Sequence, residues 1–168
     1  MELSQGFPPV SKPDARVLIL GSMPGKASLE ATEYYAFPRN AFWHIMGELF
    51  GAGPELDYRS RLRKLTSRQV ALWDVIGKCH RRGSLDSAII DDGLKTNEFA
   101  VFFKQHPHIS HVFFNGQTAN RLFTKNVRPG LAGNLVYHTL PSTSPAHATK
   151  SFAEKLEAWS VIKDYLLR

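Results

Sequence analysis

Apolar positions along this chain follow two alternating rhythms. Residues 16–21, 70–74, 111–116 and 135–139 are short, nearly continuous runs, rich in β-branched or aromatic side chains and bounded by Gly, Pro or Asp. Runs of that kind predict buried strands. Residues 40–50, 58–65, 97–105, 118–123 and 152–167 instead repeat apolar residues at helical spacing. In the last of these, Phe152, Leu156, Trp159, Ile162 and Leu166 make one continuous face, which predicts a long terminal helix. Strand and helix in alternation predict a short parallel sheet with helices on both faces, a three-layer α/β/α architecture. Residues 51–54 and 128–130 read as turns, and no repeat or low-complexity stretch interrupts the pattern, so 1–168 is expected to be one domain. A length of 168 residues with 43% hydrophobic content supplies a core of ordinary size.

Composition narrows the chemistry. A net charge of +6 raises the local concentration of a polyanionic partner, although a solvated surface accounts for it equally well. Cys79 is the one cysteine, so an intramolecular disulfide and a multi-thiolate metal site are both excluded, and a reducing cytoplasm is expected. No His/Asp/Glu cluster has metal-ligand spacing, and neither metal nor cofactor is expected. The opening residues lack a basic region followed by an apolar stretch, so no signal peptide is expected. No apolar run approaches membrane-spanning length, and no membrane partner is expected.

Two segments stand out. The first loop is Gly21-Ser22-Met23-Pro24-Gly25, running on through Tyr34-Tyr35-Ala36-Phe37-Pro38-Arg39-Asn40-Ala41-Phe42-Trp43; the second is Leu140-Pro141-Ser142-Thr143-Ser144-Pro145-Ala146-His147-Ala148. Each follows a predicted strand and therefore belongs at the carboxyl edge of the sheet, where open α/β folds bind ligands. Lys26 follows the first strand, Lys78, His80, Arg81 and Arg82 the second, and His147 and Lys150 the fourth. Hydroxyls, cations and backbone amides gathered at one edge suit a phosphate-bearing ligand, and the glycines let the backbone approach it closely. Polar loops of no special function would look the same.

The two segments, with Trp73-Asp74-Val75-Ile76 leading to Arg82-Gly83-Ser84-Leu85-Asp86, resemble the hypoxanthine-DNA glycosylases of the uracil-DNA glycosylase superfamily. The resemblance runs from Val17 to the terminal helix and implies the α/β/α fold of that superfamily. Mismatch-specific uracil and thymine glycosylases share the frame, with Gly-Ile-Asn-Pro-Gly in the first loop and Pro-x-Asn-x-Phe-Trp after it. Position 23 is Met here, in place of the catalytic Asn or Asp of the uracil enzymes. The resemblance therefore implies the hypoxanthine branch over ordinary uracil excision.

It also implies roles. Asn40 and Asp74 become the catalytic candidates; Gly21, Ser22, Met23, Tyr35 and Asn115 the base contacts, with Tyr35 stacking on an extruded base. Lys26, Arg81, Arg82, Ser142, Thr143, Ser144, Pro145, Ala146, His147 and Lys150 become the DNA contacts. Plain readings stay open: Asn40 as a helix N-cap worth about 1 kcal/mol, Asp74 as an acceptor at a strand end, and the Ser/Thr loop as a turn into the last helix. Asp86 is either a cleft acid or a local cap. No lysine nucleophile for a lyase step stands out, so the expected activity is monofunctional, on double- or single-stranded DNA holding a damaged base. The protein is expected to act as a monomer in the cytoplasm, at the nucleoid when on DNA. The alternatives are a uracil or mismatch enzyme of the same superfamily, a nucleotide-binding α/β protein, and a lesion-binding module without chemistry.

Overall fold

The computed structural model describes residues 3–166. Along the chain come β1 (Leu3–Gln5), β2 (Val17–Gly21), α1 (Lys26–Ala31), α2 (Phe42–Phe50), α3 (Tyr58–Ser67), β3 (Val70–Asp74), β4 (Ile76–Arg81), β5 (Ile89–Thr96), α4 (Phe99–Gln105), β6 (His111–Asn115), α5 (Gln117–Asn126), β7 (Val136–Leu140) and α6 (Phe152–Trp159). Short 3-10 turns lie at Asp86–Ala88, Arg128–Gly130 and Ser160–Tyr165.

The central sheet has the order β3-β2-β6-β7, and every pair in it is parallel. Side chains alternate between its faces with period two. Leu18, Leu20, Trp73, Val112 and Phe114 join a cluster with Phe99 and Phe102 of α4 and Leu122 and Phe123 of α5. Val17, Ile19, Leu72 and Phe113 join the opposite cluster with Phe42, Ile45 and Met46 of α2, Leu65 of α3 and Trp159 of α6. Helices thus cover both faces, as the strand–helix alternation predicts, and each large side chain buried this way contributes about 1.5–3 kcal/mol. Phe42, Trp43, Trp73 and Trp159 all lie in this core. In register, Gly21 stands beside Asp74, and Asn115 beside Leu140, so the strand ends share one edge.

Two features depart from the sequence expectation. The terminal helix stops at Trp159 and continues as a 3-10 turn, where the Ser160 hydroxyl donates to the Glu157 carbonyl at 2.6 Å and competes with the helical ladder. Phe152, expected on the apolar face, is 44% exposed. A second, antiparallel sheet of order β1-β4-β5 was not anticipated. It grows from β3: Val75 N donates to Gly21 O at 2.9 Å and Ile76 N to Ser22 O at 3.0 Å, so the chain follows the first loop before turning away. Among the described residues no helix is long and apolar enough to cross a membrane.

Candidate active site at the carboxyl edge of the sheet

Gly21 ends β2, and its missing side chain sets the geometry around it. A Cβ there would lie 2.5 Å from Asp74 Oδ1 and 2.7 Å from Tyr35 Oη, so the carboxyl and the phenol converge over its Cα. Asp74 is 4% exposed. Its Oδ2 and the Tyr35 hydroxyl are buried without a hydrogen-bond partner, although such atoms are nearly always paired in folded proteins. Burial first, then the charge of Asp86, pushes the Asp74 carboxyl up to about 7, while Arg81 pulls the other way. The Tyr35 phenol is raised well above its ordinary range by burial and by Asp74.

Tyr35 is held against its own preference. Its φ of 55° lies in the left-handed region, which costs a non-glycine residue roughly 1–3 kcal/mol unless the surroundings enforce it. Here they do. The Tyr34 carbonyl accepts from Trp43 Nε1 at 2.7 Å, Tyr34 N donates to the Tyr58 hydroxyl at 2.9 Å, and Ala36 N donates to Ser28 Oγ at 3.0 Å. One ring face stacks on Phe42, with centroids 4.0 Å apart and planes at 21°.

Asn40 and the second loop meet beside this pair. Asn40 Oδ1 accepts from Phe42 N at 2.9 Å, a turn bond made from the residue before the N-cap, Ala41, which has no side-chain cap, so Asn40 is not itself the N-cap of α2; its Nδ2 makes no bond among the described residues. Ala41 N donates to Thr143 O at 3.0 Å, which ties the two loops together. Asn115 Oδ1 accepts from Thr143 N at 3.0 Å and Asn115 Nδ2 donates to Thr143 Oγ1 at 2.9 Å, so both ends of the amide hold the second loop. Ser142 and Ser144 form short turns: Ser142 Oγ accepts from Ser144 N and Ser144 Oγ from Ala146 N, both at 3.2 Å. Their O–H groups remain available to a phosphate oxygen. Pro145 is half-buried and Ala146 exposed beside them.

Sequence reasoning missed Lys155, 5% exposed on α6. Its ammonium donates to the His147 carbonyl at 2.8 Å and supports the second loop from below, and burial lowers its pKa. The signal was a lysine inside the apolar stripe of the terminal helix.

Other expected contacts sit differently. Met23 is 6% exposed and packs with Ile76 and Cys79, so it lines the core rather than the edge. Arg81, expected among the DNA contacts, is 3% exposed, with its guanidinium donating to the Pro24 carbonyl and, at 3.4 Å, to Ser84 O. Arg81 is the last residue of β4 and is buried, while Arg82 lies in the bend just after the strand and is exposed. Ser22 donates to Asp86 Oδ1 at 2.5 Å. Lys26 and Lys150 are exposed, and His147 is half-buried beside them in the second loop. His138 pairs with His111 at 3.1 Å inside the sheet, away from the edge. A surface depression of about 450 Å³ lined by His44, Glu48, Glu55 and Phe152 contains none of these groups. Among the described residues no group of three or more His, Cys, Asp or Glu side chains could hold a metal ion.

A parallel sheet covered on both faces, with polar groups collected over its strand ends, defines a three-layer α/β protein, a class whose members bind ligands outside the carboxyl ends of their strands. Residues 8–163 match the Uracil DNA glycosylase superfamily, and the chain belongs to it. A curated relative, Hypoxanthine DNA glycosylase of Methanosarcina acetivorans, is 31% identical over 162 residues, 95% of this chain and 98% of that protein. Hypoxanthine DNA glycosylase of Methanosarcina barkeri is 37% identical over 114 residues, 67% of this chain and 71% of that one. A solution NMR structure provisionally described as a uracil DNA glycosylase of Methanosarcina acetivorans matches with a TM-score of 0.77 at 29% identity, covering 96% of this chain and 99% of that chain.

Proposed function

We propose that this chain is a monofunctional DNA glycosylase that extrudes a deaminated base, hypoxanthine before others, and hydrolyses its N-glycosidic bond. The observation that carries the reading is the convergence of the buried Asp74 carboxyl, through Oδ1, and the Tyr35 hydroxyl over Gly21, with Asp74 Oδ2 and Tyr35 Oη both left without a hydrogen-bond partner. Two relatives, one matched over nearly its full length and one over 71% of it, bear the name hypoxanthine DNA glycosylase, which favours that base.

A base inside a duplex is out of reach, so the nucleotide flips out at a cost of a few kcal/mol, less at a mismatch. The base stacks on the Tyr35 face that Phe42 leaves open. Asn40, whose oxygen is already used at the helix start, offers its Nδ2 donor to the lactam oxygen. As the bond between C1′ and the base nitrogen breaks, its electron pair leaves with the base and positive charge grows on the sugar. Ionised Asp74 stabilises that charge and receives a proton from the water that adds to C1′. Ser142, Ser144, His147, Lys26, Arg82 and Lys150 receive the backbone phosphates. The product is an abasic site, formed by a monomer acting on DNA in the cytoplasm.

The test is chemical. Incubation with a duplex holding one hypoxanthine should release free hypoxanthine, identified by chromatography, with the strand intact until alkali is added. Tight binding without release would leave a lesion-binding module instead. A nucleotide-binding protein would hold long duplex DNA without the steep salt dependence of a polyanion contact.

A further inference from the structure

We propose that the segment from Arg81 to Asp86 is a clamp that sets the first loop in its reactive geometry, with Arg81 and Asp86 as positioning residues rather than DNA contacts. The kinetic part of this rests on the glycosylase reading above; the structural part does not.

Three contacts bridge segments about sixty residues apart in sequence. Arg81 donates to the Pro24 carbonyl, Ser84 Oγ accepts from Lys26 N at 2.7 Å, and Asp86 Oδ1 accepts from the Ser22 hydroxyl at 2.5 Å. Loop residues 22 and 24 and Lys26 at the start of α1 are thereby each tied to the clamp, while Met23 among them is buried in the core. Two of the three contacts involve a charged group, the stronger kind of hydrogen bond. Arg81 is sequestered from solvent, and its second arm on Ser84 O makes the clamp close on itself.

Position matters here because Met23 brings no polar side chain and the Ser22 hydroxyl is turned to Asp86, so what the loop presents to substrate is backbone. Backbone donors accelerate a reaction only when held where charge develops, and a displacement of about 1 Å can cost about 100-fold in rate. Arg82, exposed in the bend after β4, is left to meet phosphate.

The clamp is tested in two ways on the full chain. Amide exchange by NMR in the free protein reads it directly: Ser84→Ala should speed exchange at Lys26 N at least about fivefold, the factor that an ordinary net hydrogen bond corresponds to. Single-turnover excision reads its purpose. Arg81→Met should slow hypoxanthine release about 10- to 100-fold, with affinity for undamaged duplex and its salt slope unchanged, and Arg81→Lys should recover much of the rate. If Arg81→Met fails to fold, Asp86→Asn and Ser84→Ala carry the same comparison. Unchanged Lys26 exchange, an unchanged rate, or a flattened salt slope in Arg81→Met would each overturn the clamp. A wild-type protein that excises nothing refutes the glycosylase reading instead, and the exchange measurement still decides whether the clamp exists.

Discussion

Asp74→Asn should stabilise the fold and cripple the reaction together. The carboxyl is 4% exposed, and burial with the nearby Asp86 raises it from 3.8 to about 7. A folded-state pKa above the unfolded value means that the native protein holds a proton the unfolded chain has lost, so stability present below pH 4 drains away as the pH rises to about 7. About three pKa units at 1.36 kcal/mol each set the upper bound at about 4 kcal/mol above pH 7. Asparagine fills nearly the same volume without a charge, and it escapes this loss. Urea unfolding of both proteins at pH 4 and pH 8.5 should therefore show little difference at the first and a gain of up to about 4 kcal/mol for the variant at the second, roughly 10 °C in Tm. Single-turnover excision at pH 8.5 should fall about 100-fold or more, as when a positioned base is lost. Equal stability of the two proteins at pH 8.5, or a fully active Asp74→Asn, would refute the assignment.

The turn bond of Asn40 to the first N–H of α2 predicts a double effect for Asn40→Ala: about 1 kcal/mol lost in unfolding, the net value of one hydrogen bond, and about 100-fold or more lost in excision, and a destabilised but fully active variant would leave only the turn. Gly21→Ala pushes a methyl against Asp74 and Tyr35, so overpacking of about 1–3 kcal/mol should appear in thermal unfolding together with lost excision; normal activity would mean that the two groups need not converge. Arg82→Ala should weaken lesion and undamaged duplex equally and lower the salt slope by about one, read from binding isotherms at several salt concentrations. A slope that stays the same would remove Arg82 from the phosphate contacts.

The central sheet was legible because β2, β3 and β6 are buried on both faces and so read as continuous apolar runs, while the partly exposed β7 keeps β-branched and aromatic residues; all four lie within a residue of the expected bounds. The second sheet was not, because β5 alternates poorly, with Asp91, Asp92, Gly93 and Lys95 exposed, and its pairing with β4 slips at two points. Helix α1 escaped for a similar reason: six residues with Ser28 as its one buried side chain carry no apolar period. At the site, the register that sets Asp74 beside Gly21 follows from the strands themselves. The direction of Arg81 was readable in principle, since adjacent residues on a strand face opposite ways, but only once β4 was known to be a strand. The engagement of Asn115 with Thr143 joins the end of β6 to a loop residue 28 positions on, and local pattern carries no trace of it.

The most direct test of the account is a panel of labelled duplexes, identical except for hypoxanthine, uracil or an undamaged base at one position. Each is incubated with the protein in EDTA, treated with alkali and resolved by length. Cleavage is expected at hypoxanthine, dependent on alkali and faster than at uracil, with none at the undamaged base. Uracil excised far faster than hypoxanthine would contradict the choice of base, and intact strands throughout would contradict the enzyme.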